Sequence, residues 1–506
     1  MKKRLVAMLI LIVLSLSLFT GCSVITGGKT KDITLKWVMM GPGMQADSKI
    51  VWEKFNKDLQ AFLPGVKVDF EIISGADYGE KYKLMMSAQE PVDIVWLGWM
   101  LDRNTEARNG AYADLGPLMD KYAPELKKEL DPWLWDLATV DGKIFSVPNY
   151  QMYNNSMYAL ATTKALADAY IKVDETKKNL TKDKKLTEDS YKAIDDYLKS
   201  LKDAGKIAQG MTAFFPQYLK GFEDFGGFVM DREDSSFKIQ YKWLTDEAKT
   251  MFIKYGEWFQ KGYVRKDVLS MQNPRQDDNK PNGASLWSVA YLNPEDTAKQ
   301  LEKQSGIPVE LLPMQDDLFI SSTAVSSATA IVETSKNKEA AIKLIELMNT
   351  PKGKALYNLL VYGIEGTHYN KVSDNRIKQL IAVPGSPGAN DKYGLTKWAV
   401  GNTYYAYETQ VDIEGYNDFV KRDINGKAVV SKFAAFKPNV EKVRTEMAQV
   451  TAVATEYSKQ LLSGALPNVE QTYNEFKTKL ENAGIRKIEA EYQAQIDAFV
   501  KERNIK

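Results

Sequence analysis

Asp93-Ile94-Val95-Trp96-Leu97-Gly98-Trp99-Met100 is the stretch on which the reading of the fold turns. Its apolar, partly β-branched run has the length of a buried strand and ends in a glycine set between two tryptophans. In open α/β sheets the ligand crevice lies beyond the carboxyl ends of the strands. Two flat aromatic faces at that place suit a ligand with flat apolar faces, such as a sugar ring. Two core tryptophans are the plainer alternative.

Outward from this stretch the pattern alternates. Ile33 to Met40 reads as a strand leading into the loop Gly41-Pro42-Gly43. Asp47 or Ser48 can cap a helix in which Val51, Phe55, Leu59 and Phe62 recur at helical spacing. Pro64-Gly65 breaks it, Val66 to Ile73 alternates as a strand, and a helix carrying Tyr78, Tyr82 and Met85 leads back to the tryptophan strand. Alternation of this kind predicts a parallel sheet covered by helices. Further on, Asp141-Gly142 supplies a hairpin turn and Met211 to Phe215 reads as a short strand. Thr245 to Lys261 and Lys336 to Met348 read as helices, and Phe319 to Val332 as a strand crossing between lobes. The C-terminal end is helical, with Asn468 and Gln471 spaced as a capping box.

The chain begins with Lys2-Lys3-Arg4, the apolar run Leu5 to Phe19, and then Thr20-Gly21-Cys22, the order of parts in a signal peptide. Phe19-Thr20-Gly21-Cys22 resembles the lipobox of bacterial lipoproteins, although Phe19 stands where an aliphatic residue is usual. The resemblance implies cleavage before Cys22, acylation there with diacylglycerol and palmitate, and a membrane-anchored chain outside the cell; an ordinary secretory signal is the alternative. Residues 22–31 then form a tether rich in Gly, Thr and Lys. Loss of residues 1–21 removes three positive charges and no negative ones, so 67 basic against 66 acidic side chains become 64 against 66. A near-neutral chain lacks the basic excess of nucleic-acid binders, and no nucleic acid is expected as partner. The remaining length is too great for one core and predicts two lobes.

Catalytic inventory is thin. His368 is the only histidine and Cys22 the only cysteine, which excludes a disulfide framework within the chain and nearly excludes Cys/His metal sites and Cys–His or Ser–His triads, since His368 alone could serve only a minimal pair. Neither G-x-x-x-x-G-K-[ST] nor G-x-G-x-x-G occurs, and no cofactor is expected. Glycoside hydrolysis needs only two carboxylates, and the acidic residues leave it open.

Several segments carry a family likeness when taken in order: Tyr78-Gly79-Glu80-Lys81-Tyr82-Lys83-Leu84-Met85, Glu90-Pro91-Val92-Asp93, and Asp141-Gly142-Lys143-Ile144-Phe145-Ser146-Val147-Pro148. The helix ending Met348-Asn349-Thr350-Pro351 follows, then Val361-Tyr362-Gly363-Ile364-Glu365-Gly366-Thr367-His368-Tyr369 and Trp398-Ala399-Val400-Gly401-Asn402. Behind a lipobox, this series resembles the extracellular solute-binding proteins of bacterial ABC importers, family 1, and among them the large lipoproteins associated with oligosaccharide uptake in Firmicutes. The resemblance implies an α/β, two-lobe periplasmic-binding-protein-like fold of type II, each lobe a mainly parallel sheet flanked by helices, with a helical C-terminal region. It implies crossings near Pro148 to Tyr153, Leu318 to Val325 and Leu356 to Tyr362, with lobe I as 32–148 plus 319–356 and lobe II as 149–318 plus 357–506. It further implies an oligosaccharide ligand in the cleft, an ABC permease as partner, contact with the membrane through the N-terminal lipid only, a monomer, and no enzymatic role. Trp99, Trp96, Trp287 and Trp398 are the stacking candidates, with Tyr153 and Phe228 beside them; Gln45, Asp47, Asn149, Glu365, Asn402 and Glu408 are the polar ones. A peptide or other polar solute on the same fold, or a lipid-anchored glycan hydrolase, are the alternative readings.

Replacing Cys22 with alanine is expected to move the processed chain from the membrane fraction to the medium. Mass spectrometry of the N-terminal peptide checks this, and an unacylated Cys22 in the wild type would refute the anchor.

Overall fold

The β-α-β-α-β alternation becomes the frame of the first lobe. The computed structural model describes residues 32–153, 158–207, 219–271, 286–290, 294–315, 317–380 and 392–506. The leader, the tether, Cys22 and the expected strand at Met211–Phe215 lie outside them. β1 (Ile33–Gly41), β2 (Val66–Ser74) and β3 (Ile94–Gly98) are parallel, with β1 central and helices Ser48–Leu59 and Tyr78–Ser87 between them. Asp47 does not cap the first helix; Ser48 Oγ instead accepts from the Gln45 amide at 2.9 Å, folding the entry loop back on itself. Asp93 is buried, accepting from the Lys36 amide and from Ser335 Oγ, so the residue that opens the tryptophan strand also fastens the sheet to the loop ahead of helix Lys338–Asn349.

After several short helices, β4 (Thr139–Val140) and β5 (Lys143–Ile144) form the expected hairpin, with Asp141 and Gly142 both at positive φ. Two successive left-handed residues are what a tight two-residue hairpin turn requires. β6 (Val147–Pro148) ends the first pass through lobe I, and β7 (Tyr158–Thr163) starts the second lobe. There β8 (Phe222–Asp224), β9 (Phe228–Asp231) and β10 (Ile239–Tyr241) form an antiparallel sheet. β7 lies between β11 (Trp287–Ala290) and β12 (Val309–Pro313), antiparallel to both. The expectation of a mainly parallel second sheet is therefore corrected among the described residues. Gly226-Gly227 joins β8 to β9 in a tight loop, and so short a connection can only make antiparallel neighbours.

The chain returns along β13 (Phe319–Ile320) and inserts β14 (Ser327–Ile331) into the first sheet, antiparallel between β3 and β6, giving the order β2-β1-β3-β14-β6. The expected third crossing at Leu356–Tyr362 is also corrected. Helix Lys354–Tyr362 buries Leu356 through Tyr362 without a break, which suits full insertion in a core, and it packs in lobe I. Residues 357–380 and 392–407, with the hairpin β15 (Tyr369–Lys371) and β16 (Ile377–Gln379), thus belong to the first core and not to lobe II. The last crossing comes later, where β17 (Val429–Val430) pairs in parallel with β13 and is followed by Phe433 and Phe436 in the second core. Helices Arg444–Ser463, Val469–Asn482 and Ile485–Arg503 complete that core. No described helix is long and apolar enough to cross a membrane.

At Gly98 the backbone passes over the Trp96 ring so closely that an added Cβ would lie 1.9 Å from a ring carbon. Gly98→Ala is therefore expected to force the indole or the strand aside and to cost about 1–3 kcal/mol of stability, the usual range for overpacking. Urea unfolding of the mature chain measures it, and an unchanged midpoint would contradict the close packing.

Candidate functional site

β1, β2 and β3 end side by side, Gly41 in register with Ser74, so the space beyond Gly98 is the position where such sheets present ligands. Alternation turns Trp96 into the core, where it is wholly buried, while Trp99, past the glycine, is 61% exposed. Trp398 arrives on the short helix Lys397–Val400 and is half-buried. The three indoles meet: Trp99 lies edge-on to Trp96 at 5.6 Å between ring centroids and tilted against Trp398 at 5.7 Å, and Trp96 and Trp398 are 5.9 Å apart. An exposed indole held from below by two others is a preformed flat apolar face. Met44, 69% exposed in the loop after β1, adds apolar surface at the end of the neighbouring strand.

A buried polar cluster sets the angle of this wall. Trp96 Nε1 donates to Ser327 Oγ at 2.7 Å, and Ser327 Oγ donates to the Trp398 carbonyl at 2.7 Å. Asn149 Nδ2 donates to both Ser327 Oγ and the Trp398 carbonyl at 3.0 Å, while Asn149 Oδ1 accepts from Thr329 Oγ1. Tyr78 Oη donates to the Trp96 carbonyl at 2.6 Å. Ser327 stands in no sequence pattern that marks it, and Tyr78, placed on a helix by its spacing, is not among the site candidates.

Most of the other sequence candidates turn inward. Trp96 is core, as just described. Tyr153 is buried against Trp133 and donates to the Asn149 carbonyl, so it packs the first crossing. Phe228 lies inside the second core with its ring 4.5 Å from Tyr492. Asn149 has no exposed surface and serves the cluster above. Gln45 is buried and accepts from the Gly394 amide. Asn402 is buried and caps its own turn by accepting from the Tyr404 amide. Glu408 accepts from the amides of Gly415 and Asn417 beside Arg376. These polar side chains satisfy buried backbone groups, a demand any folded chain must meet.

Asp47 remains partly exposed, its Oδ2 3.2 Å from His368 Nε2. The Ile364 amide donates to His368 Nδ1, which assigns the ring proton to Nε2 and makes the Asp47 contact a donated hydrogen bond. The sole histidine thus braces the loop after β1. Glu365 is exposed, 3.7 Å from Lys371 Nζ. Trp287 has its backbone in β11, while its side chain falls outside the described residues. A cavity of about 420 Å³ lies elsewhere, between the 139–142 hairpin and the C-terminal helices. In its charged lining Arg108 is paired with Asp141 and Lys442 with Glu491, and none of the candidate residues lines it. Among the described residues no group of three or more His, Cys, Asp or Glu side chains is placed to hold a metal ion.

Residues 42–355 match the family of bacterial extracellular solute-binding proteins, and residues 432–501 match a domain of unknown function, DUF3502. The chain belongs to the bacterial extracellular solute-binding protein family. It is 25% identical over 445 residues, 87% of its length and 86% of the relative's, to a carbohydrate ABC transporter substrate-binding protein of Streptococcus pneumoniae serotype 4. Among solved structures it is similar to the N-glycan transport solute binding protein NgtS from Streptococcus pneumoniae, with TM-score 0.76 and 22% identity over 92% of this chain and 99% of that one. An HMO-binding, ABC-transporter-associated solute binding protein from Bifidobacterium longum infantis aligns with TM-score 0.59 and 15% identity over 92% and 99%. These likenesses establish the two-lobe fold.

Ser327→Ala leaves the Trp96 N–H without its acceptor in a buried place. The expected outcome is a loss of about 1–3 kcal/mol of stability together with a shifted tryptophan emission; an unaltered spectrum would show that the cluster does not set the indole's position.

Proposed function

We propose that this chain captures an oligosaccharide between its lobes and delivers it to the permease of an ABC importer, working from the outer face of the cell membrane on a lipid attached to Cys22. The observation that carries the reading is the exposed Trp99 indole, backed by Trp96 and Trp398, at the carboxyl ends of the parallel strands β1, β2 and β3. Pyranose rings present flat C–H faces to such a surface, and small-ligand sites combine apolar walls with a few placed polar groups. Trp99 and Trp398 stack on the sugar in this reading. Asp47 and Glu365 are the sequence candidates whose polar groups stay partly or fully exposed, and Trp287 would supply an aromatic face from the second lobe. Support for a glycan comes also from relatives: the carbohydrate transporter protein, and NgtS solved in complex with Man1GlcNAc and Man5GlcNAc. Closure then follows as a population shift, because only the closed form touches ligand from both sides. Binding, not turnover, is the role expected.

Calorimetry of the mature chain against Man1GlcNAc, Man5GlcNAc, milk oligosaccharides, kestose and a peptide library tests the ligand class. Trp99→Ala is expected to weaken the sugar that binds by at least about tenfold, about 1.4 kcal/mol, with folding intact by circular dichroism. Full affinity in that variant, or saturable binding of peptides alone, would overturn the reading.

A further inference from the structure

Two of the crossings between lobes run side by side as β13 and β17, a parallel pair only two residues long on each strand. So short a ladder is a weak tie, and other groups hold it. Two residues after β13, the Ser322 amide donates to Glu223 Oε1 at 3.0 Å; immediately after β17, the Ser431 hydroxyl donates to Glu223 Oε2. Glu223 stands on β8 in the second lobe and is 2% exposed. One buried carboxylate therefore grips both chain segments at the points where they leave the pair. The peptide of Ser322 is held from its other side as well, because Lys437 Nζ donates to the Ser322 carbonyl at 3.3 Å and to that of Ala434 at 3.0 Å. Arg232, past the end of β9, pairs with Asp317 and lies with its guanidinium 3.8 Å from the centre of the Phe319 ring, pinning the approach to β13.

We infer that Glu223 is the positioning residue of the hinge: its carboxylate clamps Ser322 and Ser431 to the second lobe, and the protonation state of that carboxylate sets the resting separation of the lobes. Burial makes the charged form costly. It pushes the Glu223 carboxyl up to about 7, against the opposing pull of Ser431, the Ser322 amide, Arg232 and Lys437. Lys437 faces the same peptide and is pushed down to about 7, by burial and by the Arg103 guanidinium, while Glu223 pulls the other way. Linkage gives the signs. The stability associated with Glu223 is present in full below the ordinary glutamate range and is lost as pH rises through about 7. That associated with Lys437 is present above the ordinary lysine range and is lost as pH falls towards about 7. An ionised Glu223 accepts from both serines; a protonated one must give up part of that capacity, and the clamp loosens.

Small-angle scattering of the unliganded mature chain, titrated from about pH 5.5 to about pH 8.5, tests this without any sugar and so independently of the ligand reading. The wild type is expected to change its radius of gyration sigmoidally with a midpoint near 7. Glu223→Gln, which stays neutral, should hold the wild-type low-pH value throughout. Ser431→Ala, which removes one donor to the charged form, should move the midpoint upward, and it carries the test if the first variant fails to fold. A wild-type profile that does not change with pH, a Glu223→Gln chain that titrates like the wild type, or an unmoved midpoint in Ser431→Ala would each overturn the inference.

Discussion

The indole of Trp96 donates to the hydroxyl of Ser327 at 2.7 Å, a wholly buried bond between residues 231 positions apart. It sits where the parallel strand β3 meets the antiparallel insertion β14, with Ser327 in register with Gly98. Once that bond is made, the rest of the wall has little freedom. The Trp96 ring must lie under Gly98, which excludes any side chain there, and the next residue must face outward. The Ser327 proton is then committed to the Trp398 carbonyl, which places a third indole against the second. Asn149 joins the same hydroxyl just as the chain leaves the first sheet, so the start of the first crossing is tied to the wall.

The frame of the first lobe was legible because its strands and helices alternate with the periods their packing demands. What failed to read was which core an element enters. Leu356-Tyr357-Asn358-Leu359-Leu360-Val361-Tyr362 is buried on every side, apolar but for Asn358, and such a helix announces burial without an address. The second lobe's strands are three to six residues long, too short for periodicity to set their direction. The site divides in the same way. Gly98-Trp99 stood out because a glycine ahead of an aromatic breaks an apolar run. Gln45, Asn149, Asn402 and Glu408 look from sequence like groups awaiting a ligand, yet each meets a buried backbone or side-chain partner. A short polar side chain beside a turn serves either purpose with the same chemistry, and only the third dimension separates them.

The C-terminal helices form no separate module. Phe228 of β9 packs on Tyr492, and Gly256 lies so close to Val469 that a Cβ there would clash. β10 is the outer strand of its sheet, with two amides pointing away from its partner. Gln493 accepts from the Ile239 amide and Glu489 from the Tyr241 amide, both from helix Ile485–Arg503. An unpaired edge invites pairing with another chain; here side-chain acceptors four residues apart on one helical face close it. The region 432–501 thus completes the second lobe's core and seals its sheet.

A division of labour follows from these packing facts. The aromatic wall on the first lobe is rigid: its indoles support one another and a buried hydrogen-bond cluster fixes the backbone beneath them. A surface built before the ligand arrives loses little conformational entropy when the ligand lands. The proposed hinge lies instead where β13 and β17 pair over two residues, with their neighbours held by Glu223 and Lys437. The proposed capture by closure needs both properties in one chain. A yielding wall would spend binding energy on its own ordering, and a rigid crossing would leave the open and closed forms too far apart in free energy for a ligand to shift.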